Sequence, residues 1–371
     1  MRQETDIDLQ RRHGHSIAGT IIPGTLCGWF RLCNVEYESA ALAVAYLKVP
    51  IALQSASSGD GIVASRGRLA ITVGAHPGRP DIQENLMSIV IAGATGQLGR
   101  LVVRELLGRG VPAGQIMAAG RSAGQLAELS GLGVNTATVD YDDPASVDSA
   151  LHEGDTLLLI SGSDIQNRTT QHETVIEAAV RAKVGHILYT SVLAADTTPL
   201  VLAPDHAKAE GLIRASGLPF TFLRNGWYTE NYAAALLTAR ETGTLLASAG
   251  EGRVASATRA DYAAAIAAVL STGGHEGQVY ELSGDYAWTF GELASAFSTV
   301  LGRTVSYRSV SSAEHVSALQ AAGLDPATAG FLAALDGNIQ QGALALTTGD
   351  LARLAGRPTT PLLDGLRPLA G

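Results

Sequence analysis

The sequence predicts an α/β fold, a Rossmann-like doubly wound parallel sheet followed by a smaller, mainly helical C-terminal lobe. Three observations support this. Short apolar runs alternate with amphipathic stretches from Ser88 to Arg224, a glycine turn joins the first run to the first helical stretch, and helical spacing dominates beyond Arg224. Ser88–Ala92 reads as the first strand, and Gln97–Leu107 as a helix on which Leu98, Leu101, Val102 and Leu106 form one stripe. Gln115–Ala119, Val134–Val139 and Thr156–Ile160 follow as strands, then Arg168–Lys183 as a long helix. His186–Thr190 is a fifth strand, Asp205–Ala215 a helix, and Pro219–Leu223 a sixth strand after the Gly217-Leu218-Pro219 turn. The lobe shows helical spacing over Asn231–Thr242, Ala260–Ser271, Thr289–Leu301, Ala313–Ala322 and Pro326–Ala334. Gln278–Leu282 and Thr304–Tyr307 interrupt it as strands.

Composition bounds what such a chain can do. Of 371 residues, 46% are hydrophobic and 16% charged, enough apolar material for a packed core. Residues 1–86 carry no net charge, so the whole formal charge of −9 falls on the remainder, which lacks the basic footprint of a nucleic-acid binder. Cys27 and Cys33 are the two cysteines; their absence after residue 86 argues against a disulfide framework, a thiolate metal site or a catalytic thiol, and fits a cytoplasmic location. The histidines show no metal-ligand spacing. No stretch after Met87 is apolar for long enough to span a membrane.

Three segments organise the chain: 1–86, 87–225 and 226–371. The first is expected to be a poorly ordered extension, or the product of a start placed upstream of Met87. A targeting peptide is the alternative, since Arg11 and Arg12 precede the apolar Ser16–Phe30, although Pro23, Gly24 and Gly28 break that stretch. Residues 87–225 are the expected nucleotide-binding domain. Residues 226–371 are mainly the substrate lobe, with some strands returning to the sheet.

The first strand runs into Gly93-Ala94-Thr95-Gly96-Gln97-Leu98-Gly99. Glycines suit three needs there: a tight turn, bare backbone against a pyrophosphate, and close packing of helix on strand. The helix start then presents unpaired N–H groups to the phosphates. Among so many glycines a purely structural turn is the alternative, but the position between strand and helix favours dinucleotide binding. The second strand ends Ala119-Gly120-Arg121, placing a cation where an NADH-selective fold carries a carboxylate. Arg121 therefore points to NADPH, with NADH weaker; a solvated surface arginine is the alternative. Gly120-Arg121-Ser122-Ala123-Gly124 also matches a hydrolase nucleophile pattern, but it occupies the turn that reads the ribose.

Together the GATGQLG turn, Arg121, Tyr189-Thr190-Ser191 and the string Leu223-Arg224-Asn225-Gly226-Trp227-Tyr228-Thr229-Glu230-Asn231 resemble the type-2 NAD(P)H:quinone oxidoreductases. These form an NmrA-like, atypical branch of the short-chain dehydrogenases. The resemblance runs from Met87 almost to Gly371. It implies cofactor contacts from Gly93, Ala94, Thr95, Gly96, Gln97, Leu98, Arg121, Ser161, Gly162, Ser163, Asn225, Gly226, Trp227, Tyr228, Thr229, Glu230 and Arg259. It also implies NADPH-dependent reduction of a small-molecule quinone without flavin or metal, and admits a homodimer.

Ordinary short-chain dehydrogenases use a Tyr-x-x-x-Lys pair on the helix after strand five. Counted back from the Ser216–Pro219 turn, those places fall near Leu202 and His206, so the usual acid–base tyrosine is missing. A quinone accepts hydride readily and needs mainly orientation and hydrogen-bond donors at the developing oxyanion. Asn225, Tyr228 and His206 are the candidate catalytic donors, with Trp227 as a wall for the flat ring. For Trp227 and Tyr228 core packing is the alternative, and for His206 a solvated helix position. Lys208 and Glu210 read as surface charges. A non-catalytic NADP(H)-binding redox sensor acting through a protein partner would explain the missing tyrosine equally well, and a second alternative keeps the enzyme class but changes the substrate to an imine or enone.

Overall fold

The structure, a computed structural model, describes residues 88–371. The expectations for residues 1–86 and for Met87 lie outside the described residues. Six strands open the sheet: β1 (Ile89–Ala92), β2 (Ile116–Gly120), β3 (Asn135–Thr138), β4 (Thr156–Leu159), β5 (His186–Val192) and β6 (Phe220–Asn225). Between and after them run α1 (Gln97–Gly108), α2 (Ala123–Ser130), α3 (Pro144–Asp148), α4 (Arg168–Ala182) and α5 (Ala203–Ser216). The later strands are β7 (Trp227–Tyr228), β8 (Thr244–Ala247), β9 (Arg253–Val254), β10 (Ser256–Ala257), β11 (Gln278–Leu282), β12 (Trp288–Thr289) and β13 (Ser306–Ser309). The later helices are α6 (Ala233–Thr242), α7 (Arg259–Ser271), α8 (Phe290–Leu301), α9 (Ser312–Ala321), α10 (Pro326–Gln340), α11 (Asp350–Ala355) and α12 (Leu362–Leu366).

The main sheet has the order β11-β6-β5-β4-β1-β2-β3, and every neighbouring pair is parallel. This is the expected doubly wound arrangement. The chain steps outward from β1 to β3 and then returns to β4 on the other side of β1. That reversal opens a crevice beyond the carboxyl ends of β1 and β4, where folds of this kind take ligands.

Both faces of the sheet are covered, which is why its strands are apolar runs rather than alternating ones. On one face Ile91, Ile116, Leu158, Leu188 and Leu223 pack against Val102 and Leu106 of α1 and against Tyr262 and Ile266 of α7. On the other, Val90, Leu157, Leu159, Ile187, Tyr189 and Phe222 meet α4 and α5 through Val175, Ile176, Ala209 and Ile213. Each such Leu, Ile or Val contributes roughly 1.5–3 kcal/mol by leaving water.

A separate core, built on Leu236, Leu245, Trp288, Phe290, Phe297, Leu335 and Ile339, holds the lobe together. The boundary after Asn225 is one of sequence rather than of space, because α7, β11 and α11 return to pack on or extend the main sheet. Some expected elements shift. The last lobe strand is Ser306–Ser309 rather than Thr304–Tyr307, since it pairs in parallel with the unforeseen β8. The helix from Pro326 continues to Gln340, its Leu335 and Ile339 buried in the lobe core. Among the described residues no helix is long and apolar enough to cross a membrane.

Candidate functional site

After β1 the chain turns through Gly93, whose φ of +89° strains any side chain. A Cβ there would also lie 3.1 Å from Ile160 Cβ, just past β4. Gly93 and Ala94 both donate their N–H groups to the Ala119 carbonyl, at 3.0 and 2.9 Å, which ties the turn to β2. Gly99 is required for another reason. A Cβ on it would sit 2.3 Å from the Gly93 carbonyl oxygen, so helix and turn meet backbone to backbone. At its start α1 has Gly96 as N-cap and no side-chain acceptor for its first-turn amides. Those N–H groups and the positive end of the helix dipole form a natural anion seat at the crevice.

Gly120 ends β2 where Thr95 crosses it; a Cβ there would come within 2.5 Å of Thr95 Oγ1. The next residue, Arg121, is exposed, and its charge acts on two neighbours, Tyr141 and Asp164. Burial holds the Tyr141 hydroxyl above its usual range while Arg121 pulls the other way. Tyr141 donates to the Ile160 carbonyl at 3.3 Å and would lie 3.5 Å from a Cβ on Gly93. It is a site residue that sequence reasoning missed, since nothing local marks it. Ser122 caps α2, accepting from the Gln125 N–H at 3.5 Å, which is the ordinary use of serine at a helix start.

Ser161–Ser163 follow β4 on the other side of the crevice. Ser161 donates its N–H to Thr190 Oγ1 at 2.8 Å. Gly162 donates to His172 Nε2 at 3.1 Å and accepts from Arg168 Nε at 2.9 Å. This loop is thus fixed from β5 and α4, with half-buried serines at the crevice edge.

The Asn225–Glu230 string divides into two parts. Gly226 donates to the Leu282 carbonyl at 2.7 Å and leaves no room for a side chain against β11, a Cβ falling 3.0 Å from that same oxygen. Thr229 is wholly buried and shares a hydrogen bond with Ser256. Glu230 accepts the Arg259 N–H at 2.9 Å and lies 3.6 Å from its guanidinium. Thr229, Glu230 and Arg259 therefore hold the turn together. The other part faces an unfilled role. Asn225 Nδ2 donates to Tyr228 Oη at 3.1 Å, and Asn225 Oδ1, Trp227 Nε1, Ser191 Oγ and Ser283 Oγ are buried without a hydrogen-bond partner. These four lie at or just past the carboxyl ends of adjacent strands β5, β6 and β11. Buried polar atoms of this kind are rare without a ligand or water to meet them.

Tyr228 sits under the Arg259 guanidinium, 4.5 Å from its ring centre, and edge-on to Tyr262. Burial raises its pKa, partly offset by Arg259. The hydroxyl stays protonated, and as it already accepts from Asn225 its own hydrogen is available to donate.

His206 is placed elsewhere. It is buried rather than solvated, and bonds Tyr189 on the α4–α5 face of the sheet at 2.8 Å. Strand alternation puts Asn225 toward the α1–α7 face, and Tyr228 packs against the core on that face. The structure thus joins Asn225 with Tyr228, while the hydrogen bond of His206 goes to Tyr189 instead. Glu210 is not a surface charge. It is 1% exposed and grips Arg224 of β6 with both oxygens at 2.8 Å, the cation that allows a carboxylate to be buried there. Lys208 does lie at the surface, 2.7 Å from Glu173.

Residues 93–272 match the protein family described as NAD(P)H-binding. Quinone oxidoreductase 2 of Escherichia coli (strain K12) is 45% identical over 281 residues, 76% of this chain and 98% of that protein. The crystal structure of the Escherichia coli NADPH-dependent quinone oxidoreductase complexed with NADPH is similar with a TM-score of 0.74. It is 45% identical, over 76% of this chain and 100% of that one. The Citrobacter sp. triphenylmethane reductase complexed with NADP(H) is similar with a TM-score of 0.72, at 38% identity over 76% of this chain and 100% of that one.

Proposed function

Since the chain belongs to the type-2 NAD(P)H:quinone oxidoreductases, an NmrA-like branch of the short-chain dehydrogenases, we propose that it reduces quinones with NADPH, without flavin or metal. The observation that carries this reading is the edge of β5, β6 and β11. There a protonated Tyr228, oriented by Asn225, and buried unpartnered polar atoms await a ligand. A dinucleotide fits the other half of the crevice: Gly93–Leu98 would hold the pyrophosphate on bare backbone, Arg121 the 2′-phosphate, and Ser161–Ser163 the nicotinamide ribose.

When bound, NADPH supplies a hydride; with one proton it converts the quinone to a hydroquinone. The chain's own part is orientation and charge. Tyr228 donates a hydrogen bond to the quinone oxygen as negative charge gathers there, an interaction worth roughly 2.7–4 kcal/mol at oxyanion sites. Because burial keeps its pKa high, Tyr228 stays an un-ionised hydrogen-bond donor to that oxygen. Asn225 fixes the phenol, and Trp227, packed on the lobe core, would serve as a wall for a planar ring. A sensor without chemistry is not favoured, as such a protein has no need of a donor held ready at this edge. A cytoplasmic location belongs to the same reading, supported by the lack of cysteine after residue 86.

Mixing the purified protein with NADPH and then with a series of benzoquinones tests the proposal. NADPH oxidation at 340 nm that depends on added quinone is expected; NADPH binding with no turnover of any quinone overturns the catalytic reading. Arg121→Asp is expected to weaken NADPH roughly ten- to a hundredfold relative to NADH, the worth of one charge-assisted hydrogen bond to phosphate. Dissociation constants for both cofactors check it, and unchanged selectivity would place 2′-phosphate recognition elsewhere.

A further inference from the structure

Three buried side chains on the α4–α5 face play no part in that mechanism, and one backbone amide at the end of their hydrogen-bonded chain sets its direction. Gly162, in the loop after β4, donates its N–H to His172 Nε2 at 3.1 Å. A ring nitrogen that accepts from an amide carries no proton, so neutral His172 bears its hydrogen on Nδ1. That N–H meets Tyr189 Oη at 3.3 Å. Tyr189 Oη lies 2.8 Å from His206 Nδ1, and a phenol that receives from His172 donates onward. His206 Nδ1 is then the acceptor, and its hydrogen must sit on Nε2.

Both rings stay neutral in this setting. Burial and then the Arg168 guanidinium depress the His172 pKa to about 3. Burial, Arg168 and His172 hold His206 well below its usual value. Asp205 of α5, 3.8 Å from Arg168, faces that cation. No acceptor for His206 Nε2 occurs among the described residues, so its N–H is left to a ligand or to water.

We propose that His172 and Tyr189 are positioning residues forming a tautomer lock, which couples the Ser161–Ser163 loop to His206 and holds the His206 hydrogen on Nε2, as a donor for water or for a bound ligand. The chain of bonds is not a proton wire. Its inner end is a peptide N–H, which cannot refill a lost proton, and passing one outward would leave a buried tyrosinate where burial pushes the Tyr189 pKa sharply up. It fixes geometry and net protons do not flow through it. Tying the loop to nicotinamide binding rests on the function proposed above; the tautomers themselves do not.

Imidazole ¹⁵N chemical shifts of histidine-labelled protein at pH 7.5, without cofactor, read the tautomers directly, with His172→Gln and His206→Gln providing the assignments. We expect neutral His172 protonated at Nδ1 and neutral His206 protonated at Nε2. His206 protonated at Nδ1, or either ring charged, overturns the lock whether or not the protein reduces quinones. Tyr189→Phe should mix the His206 tautomers and lower kcat for quinone roughly tenfold, about one hydrogen bond, with KM for NADPH within about twofold. His172→Leu should raise KM for NADPH by a similar factor, and His172→Gln, whose Oε1 can accept from Gly162, should restore most of it. A His206 tautomer unmoved by Tyr189→Phe, or glutamine no better than leucine at position 172, refutes the coupling.

Discussion

Replacing Arg224 by methionine is expected to lower the unfolding free energy by about 3–5 kcal/mol, the largest single-residue loss we foresee in this chain. The guanidinium is buried at the end of β6, where Nε and Nη2 engage both oxygens of Glu210 and Nη1 reaches Glu281 at 2.8 Å and Asp196 at 3.1 Å. These carboxylates hold its pKa above the ordinary value, Glu210 most strongly. Without Arg224, Glu210 keeps an exposed cation, Arg214 at 3.2 Å, but loses its buried partner. The double replacement Arg224→Met with Glu210→Leu should recover most of the loss, because desolvating an intact buried pair costs nearly what its attraction returns. Urea denaturation of the two variants checks this. A double variant as unstable as Arg224→Met alone would mean that Glu281 and Asp196, rather than Glu210, need the cation. Since Glu281 also accepts the Ala194 N–H at 2.8 Å, where the backbone takes a φ of +50°, the loop after β5 should loosen as well.

The second large effect is acid lability well above the carboxylate range. His172, His186 and His206 all have pKa values depressed by burial in the folded state, His172 to about 3. A histidine shifted down binds fewer protons folded than unfolded. Its stabilising effect is complete above the unfolded value near 6.5 and fades as pH falls toward the folded one. Well below pH 6.5 each fully depressed ring costs roughly 1.4 kcal/mol per pH unit. Urea midpoints should therefore drop steeply between pH 6.5 and 4.5, before most carboxylates titrate. The His172→Gln, His206→Gln double variant should show a much flatter profile over that window. A flat wild-type profile would mean that both rings are charged or solvated in the folded protein.

How much of this was legible in advance depended on distance along the chain. The glycine turn was readable because strand, turn and helix are contiguous, and the three demands on Gly93, Gly96 and Gly99 arise within one short stretch. Helix starts at Thr258, Thr289 and Ser311 were equally local. Each carries a capping box with an acid three residues on, at Asp261, Glu292 and Glu314. Glu210 was misread as a surface charge because its partner lies on β6, fourteen residues away, and nothing in a helix reveals which cation its side chain meets. The link between His172 and His206 was hidden for the same reason; only the packing of α4 and α5 over β5 brings both to Tyr189. Two-residue strands such as β7, β9, β10 and β12 have no periodicity to read, so the turn built from Trp227 and Tyr228 stayed invisible. The candidate donors Asn225 and Tyr228 were reachable only through family resemblance, whereas Tyr141 left no trace in either.

The outer position of β11 also bears on biosynthesis. Its pairing partner β6 is complete at Asn225, yet β11 begins at Gln278, on the far side of much of the lobe. While a ribosome adds residues 226–277 at about 5–20 per second, β6 presents a bare row of peptide groups for several seconds. Nascent chains halted in that interval should pair through this edge and aggregate more readily than full-length chains, in which β11 covers it.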